Sequence, residues 1–328
     1  MPKRGAFTSR TTEASMDRTV PMHAAVATVL LSAYPRGAHI LSAHAYRPGY
    51  RSYPMRVHVR TPDGNAEYCV VKLGDRIDLI EREARVLTVL GALGFPVPRV
   101  LAGPVSVPEA RGRQAAMILS ELPGQPLPWL GTPSLVDADL TCRLLIHGVA
   151  QLHQLTERMR RHDIAKLLPR TTLVEELTAI VQQGGPWLHV DLFVRAVEAL
   201  YRRIGAVELP LVFSNGDYNP LNFLHDGTAL TGYIDFEHAC FEDPHAGFAK
   251  FVTLSFDAYG WGTGSKVGLV ERYLYTQNIS RGEFVPRLVL RCLRRLQRDV
   301  AVNGAADALQ RNHMLHVLKD SLPTIERW

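Results

Sequence analysis

The sequence predicts an α+β chain of two lobes behind a polar tail at residues 1–21: a β-rich, antiparallel N-terminal lobe with one helix over 22–121, and a mainly α-helical lobe over 122–328. Three observations predict it. Met55, Val57 and Val59 alternate with Arg56, His58 and Arg60, the period of a half-buried strand. From about residue 135 apolar positions instead recur at intervals of three and four, as over 144–155 and 285–300, the period of an amphipathic helix. Between the two regimes stands Pro123-Gly124, a hinge.

Taken in order, residues 1–20 are polar, rich in Ser, Thr and Arg, and without period, which reads as a mobile tail. The apolar run over 24–33 is too short to span a bilayer. Glu13 and Asp17 interrupt the basic residues ahead of it, so it reads as a first helix rather than the core of a signal peptide. An ill-defined strand falls over 46–53. The alternating strand at 55–60 turns through Pro62-Asp63-Gly64-Asn65 into a second strand carrying Lys72. Alone, Lys72 reads as a strand-end lysine reaching for solvent.

A helix over 76–93 follows, closed by Gly94 and Pro96. Its apolar stripe of Ile80, Leu87 and Leu90 includes Glu83, whereas Glu81 shares a face with Ala84, Arg85 and Thr88. A carboxylate turned into a core is costly unless a cation meets it, and Lys72 is the nearest such cation in the pattern. Strands at 99–107 and 114–122 complete the N-terminal lobe.

Composition narrows the class. At 328 residues, 46% hydrophobic and 21% charged, the chain has the composition of an ordinary globular protein with a large core. The net charge of +5 is spread thinly, without a basic stripe interleaved with aromatics, so nucleic acid is not an expected partner. Nor is a membrane. Cys69, Cys142, Cys240 and Cys292 form no CxxC pair, which excludes a zinc knuckle and fits a reducing cytoplasm.

The chemistry concentrates in Asn215-Gly216-Asp217-Tyr218-Asn219-Pro220-Leu221-Asn222 and Tyr233-Ile234-Asp235-Phe236-Glu237. Asp217 and Asn222 stand five residues apart, as in a kinase catalytic loop, and Asp226-Gly227 turns a hairpin that returns Asp235 to the asparagine. In-line phosphoryl transfer needs such a set: a carboxylate to orient the attacking hydroxyl, and two oxygen donors for magnesium.

With Lys72, Arg82-Glu83-Ala84, Gly94-Phe95-Pro96-Val97-Pro98, the hinge over 119–124 and Leu152-His153, this motif resembles the aminoglycoside phosphotransferase and choline kinase-like family. The resemblance runs from about residue 40 onward and implies a bilobal protein kinase-like fold. It further implies that Lys72, steadied by Glu83, grips the α and β phosphates of ATP (or GTP), and that the backbone from Ser120 to Leu122 meets the base. Asp217 would be the catalytic residue, with Asn222 and Asp235 holding Mg2+. The N-terminal lobe would then bind nucleotide, and the C-terminal lobe would hold catalysis and the acceptor.

The expected function is ATP- and magnesium-dependent phosphorylation of a small hydroxylated molecule, above all an antibiotic such as an aminoglycoside or macrolide, by a cytoplasmic monomer or homodimer. A metabolic kinase of an amino alcohol, amino acid or sugar is the alternative, and a nucleotide-binding pseudokinase scaffold is the alternative of another class. No Asp-Phe-Gly to Ala-Pro-Glu segment marks a protein kinase.

The chain departs from the family's pattern in places. Asn215 replaces the usual histidine, Arg47-Pro48-Gly49-Tyr50-Arg51 has a single glycine where a phosphate-covering loop has several, and Gly247 replaces a further aspartate after Asp243-Pro244. The acceptor pocket is expected around Glu237, Asp243, Phe256, Tyr259 and Trp261. Gly260-Trp261-Gly262-Thr263-Gly264 lacks the surrounding βαβ unit of a dinucleotide turn and reads as a loop. His238 and His245, beside Glu237 and Asp243, lack the spacing of metal ligands and read as structural or exposed. Arg287, Arg291, Arg294 and Arg298 form one helical stripe, which reads as a solvated face, with contact to an acidic substrate or partner as the alternative.

Overall fold

Strand alternation dominates the first part of the chain. The computed structural model describes residues 24–45, 54–109, 112–128, 134–253, 268–302 and 308–327, and the chain divides into two compact units between Leu122 and Pro123. The tail, the strand expected over 46–53, the single-glycine loop, and Phe256, Tyr259 and Trp261 with their glycine run all lie outside the described residues.

In the first unit α1 (Ala24–Ser32) precedes β1 (His39–Ala45), β2 (Met55–Arg60) and β3 (Ala66–Gly74), then α2 (Ile77–Ala92), β4 (Val100–Glu109) and β5 (Gly112–Ser120). The strands form one sheet in the order β1-β2-β3-β5-β4, with every neighbour antiparallel. Met55, Val57 and Val59 of β2 are buried while Arg56 and His58 are partly exposed. The buried face joins Val71, Ile118 and, from α1, Val26 and Leu30 in one core. Helix α2 packs on β4 and β5 through Ile80, Val86, Leu87 and Leu90, and Glu83 is buried with them. Each such leucine contributes about 2 kcal/mol, so an unpaired Glu83 would cancel what its neighbours contribute.

The second unit begins with β6 (Gln125–Pro126) and the helices α3 (Leu135–Gln154), α4 (Thr156–Arg160), α5 (Leu173–Gln183) and α6 (Asp191–Tyr201). Four short strands follow: β7 (Val212–Ser214), β8 (Phe223–His225), β9 (Leu230–Tyr233) and β10 (Cys240–Glu242). The chain then runs through α7 (Ala246–Thr253), α8 (Leu269–Thr276), α9 (Arg281–Asp299) and α10 (Ala308–Glu326). Helices α5 and α9 both start with a capping box, Thr172 with Glu175 and Ser280 with Glu283. The expected hairpin is β8–β9, joined by β6. A second ribbon, β7 paired with β10, extends the expectation; its strands are three residues each, too short to show an alternation.

Candidate active site

The site is built on the end of β7, which pairs with β10 so that Ser214 stands opposite Cys240. Two residues on, Gly216 has φ 77°, and a Cβ there would lie 2.0 Å from the His238 carbonyl oxygen, so the turn accepts only glycine. Asn215 is buried and clamps the residue two ahead: its Nδ2 donates to the Asp217 carbonyl at 3.0 Å, and its Oδ1 accepts from the Asp217 N–H at 3.2 Å. The Asn222 Nδ2 donates to the same carbonyl at 3.1 Å. Two amides thus fix the Asp217 backbone, and the residue replacing histidine has a bracing role.

The loop closes through a short turn at Pro220–Asn222, where the Asn219 side chain accepts from the Leu221 N–H at 3.2 Å. The Asp226 carboxylate accepts from the Thr228 and Ala229 N–H groups and shapes the turn between β8 and β9. Phe223 pairs with Tyr233, and the Ile234 N–H donates to the Asn222 carbonyl at 3.0 Å, so Asp235 emerges next to Asn222 in the ribbon. Asp235 itself has φ 65°, a left-handed conformation that aspartate tolerates better than most residues and that collects at functional sites.

Lys250, on α7, was not singled out by the sequence reasoning. It is buried, and its Nζ contacts Asp217 Oδ1 in an ion pair. Burial pulls the ammonium pKa down, opposed by the charge of Asp217. A signal existed in the sequence: Lys250 stands between Ala249 and Phe251 as the one charged residue of the octapeptide Ala246–Thr253. The Asp217 side chain remains 39% exposed. It opens, with Lys250 and Gly247, into a cavity to which α9 contributes Arg287, Leu290, Arg291 and Arg294. A Cβ at Gly247 would lie 2.2 Å from the Tyr218 ring, so an aspartate cannot occupy this position while Tyr218 is packed as it is. Tyr218 is buried, with its hydroxyl 2.9 Å from His153 Nε2.

Two expectations are corrected. Asp243 is not available to an acceptor, because both its oxygens receive Arg287, at 2.6 Å each, and the two side chains are 1% exposed. The arginine stripe is accordingly not one solvated face: Arg294 and Arg298 are exposed, Arg287 is fully buried and Arg291 partly so. His245 Nδ1 lies 2.8 Å from the Tyr273 hydroxyl and His238 is exposed.

In the first unit Lys72 Nζ lies 2.7 Å from Glu83 Oε2, with side chains 8% and 1% exposed. Lys72 sits on β3 opposite Met117 of β5, and Glu83 on the sheet-facing stripe of α2. At the hinge, the Ser120 N–H donates to the Arg99 carbonyl and the Ser120 hydroxyl accepts from the Arg99 N–H, both at 2.9 Å. The Glu121 carboxylate accepts from Arg56. The Ser120 N–H and hydroxyl are thereby engaged on the sheet.

The fold together with an Asp-x4-Asn loop and a returning aspartate defines a phosphotransferase of the protein kinase-like class. The description "phosphotransferase enzyme family" matches residues 54–284, and the chain belongs to that family. No curated protein matches its sequence. Among solved structures it is similar to aminoglycoside phosphotransferase APH(4)-Ia in a ternary complex with ADP and hygromycin B. That similarity has a TM-score of 0.64 at 12% identity, over 92% of this chain and 98% of the other. The GDP and kanamycin complex of APH(2″)-IIIa is similar with a TM-score of 0.56 at 15% identity, over 90% and 97% of the two chains. Among the described residues no helix is long and apolar enough to cross a membrane.

Proposed function

We propose that this protein transfers the γ-phosphoryl group of ATP to a hydroxyl of a small molecule, with magnesium. The observation that carries the reading is the Asp217 carboxylate, held on a loop braced by two amides, tied at one oxygen to Lys250 and open to a cavity. The second oxygen would orient the acceptor hydroxyl and take its proton as the hydroxyl oxygen bonds to the γ-phosphorus. The bond from that phosphorus to the bridging oxygen breaks, and ADP leaves. Little of this chemistry is covalent work by the protein, so positioning and charge neutralisation dominate.

Asn222 and Asp235 fit a magnesium ion: with Nδ2 donated to the Asp217 carbonyl, Asn222 has its amide oxygen left to offer, and Asp235 adds a carboxylate, a hard oxygen set. When bound, the metal would neutralise charge on the phosphates. Lys72, held by Glu83, would grip the α and β phosphates, and the backbone from Ser120 to Leu122 would meet the base, which makes residues 22–121 the nucleotide lobe and 122–328 the catalytic lobe. A hydroxylated antibiotic is the first acceptor class to assay, since hygromycin B and kanamycin are the acceptors named with the similar structures. Asn215 clamps the loop instead of loosening it, which weighs against a pseudokinase scaffold. The test is ADP release with a panel of hydroxylated antibiotics and metabolites, in the wild type and in Asp217→Asn. Acceptor-dependent release that vanishes in the variant supports the reading, and ATP binding without turnover across the panel overturns it.

A further inference from the structure

The cavity beside Asp217 is lined by four cations, Lys250, Arg287, Arg291 and Arg294, with the carboxylates Glu176 and Glu242 among its other residues. Three of the four are already matched. Lys250 meets Asp217, Arg287 meets Asp243 at 2.6 Å, and Arg294 meets Glu176 at 2.9 Å. Arg291 is the exception. It stands one helical turn after Arg287 and shares the cavity with Asp217, no carboxylate lies within ion-pair distance of it among the described residues, and its buried Nε makes no hydrogen bond there. Glu242, the remaining carboxylate of the lining, takes a hydrogen bond from Ser214, and burial pushes its pKa up, toward the neutral form. Arg291 therefore stands in the cavity lining as a guanidinium that no carboxylate of the described residues matches.

We propose that the acceptor carries a carboxylate or a comparable oxyanion, and that Arg291 receives it in the same cavity in which Asp217 meets the acceptor hydroxyl. This rests on the phosphotransferase reading above and adds the acceptor's charge to it. A guanidinium is a planar fork of donors that matches an oxyanion with two oxygens. One group fixed at Arg291 and a hydroxyl fixed at Asp217 orient a small molecule at two points, the condition for in-line attack. A polycationic acceptor such as an aminoglycoside meets the wrong sign at Arg291, and like charges brought together in a cavity repel strongly.

The test uses one hydroxylated ring with three charges: glucuronate, glucose and glucosamine, with glucose 6-phosphate to separate a carboxylate from a phosphate ester and kanamycin as the polycation. Calorimetric binding and Mg-ATP-dependent ADP release are measured on the full chain, on Arg291→Met and on Arg291→Lys, with thermal melting to show that each variant is folded. The expected result is at least tenfold tighter binding of an anionic probe than of glucose, lost in Arg291→Met and partly restored in Arg291→Lys. Preference for glucosamine or kanamycin, no binding of either anionic probe, or an anion preference that survives Arg291→Met overturns the proposal. The two readings separate cleanly. Asp217-dependent ADP release with kanamycin and no anion preference removes the oxyanion site and keeps the phosphotransferase. Arg291-dependent anion binding, with no acceptor in a broad panel giving Asp217-dependent ADP release, supports the oxyanion site and removes the phosphotransferase reading.

Discussion

Two cations of the second unit reach carboxylates across long stretches of chain, and they end in different settings. Arg287 of α9 and Asp243 are both sealed, each oxygen of the aspartate receives a guanidinium nitrogen, and Arg287 donates further to the Glu283 and Val207 carbonyls. Asp243 also accepts from the N–H groups of His245 and Ala246 at the start of α7. Lys250 and Asp217 differ in that the lysine is buried but the carboxylate is 39% exposed, with one oxygen engaged. A pair saturated on every side holds structure together, whereas a pair with an open oxygen in a cavity keeps a group in place for chemistry.

This contrast predicts that the two pairs fail differently. On the proposed function Asp217→Asn keeps the shape and removes the base, and should lower acceptor-dependent kcat by about a thousandfold or more, roughly 4 kcal/mol of barrier, while the thermal midpoint shifts little. Arg287→Met should do the reverse, costing about 3–5 kcal/mol of stability by leaving the Asp243 charge buried alone, as read by denaturant unfolding. A normal melting curve for Arg287→Met would break the comparison. Lys250→Met lies between: we expect kcat to fall about ten- to a hundredfold, roughly 1.4–2.7 kcal/mol, with KM for ATP unchanged, because the Asp217 carboxylate loses the ammonium that holds one of its oxygens.

The smallest effect concerns the histidines behind the loop. Burial lowers the pKa of His153 and His245 to about 4 from the ordinary 6.5. Between those values the unfolded chain binds protons that the folded chain does not, so stability is full above about pH 6.5 and falls as the pH drops toward 4. The loss should be about 1–2 kcal/mol per histidine, given their partial exposure, and His153→Gln should flatten part of it in melts taken from pH 7 to 4.5.

Much of this was legible in the sequence, for identifiable reasons. Strand alternation exposes itself in three residues, as at Met55, Val57 and Val59, and the helical stripe that carries Glu83 inward is a local count. The spacing from Asp217 through Asn222 to Asp235 is local too, and the hairpin between them announces its turn. Long-range pairing left no such trace. Lys250 is 33 residues from Asp217 and Arg287 is 44 from Asp243, and neither interval belongs to a motif. The arginine stripe looked like a solvated face because helical phase tells which residues share a side but not what stands opposite. The β7–β10 ribbon, at three residues a strand, is fixed by what packs around it more than by its own pattern.

The most direct test of the account is ADP release from Mg-ATP, with mass analysis of the product, for the wild type and Asp217→Asn across a panel that spans anionic, neutral and cationic hydroxylated molecules. At least one acceptor should gain a phosphate, with release that falls to background in the variant. A phosphorylated product formed equally well by Asp217→Asn would contradict it.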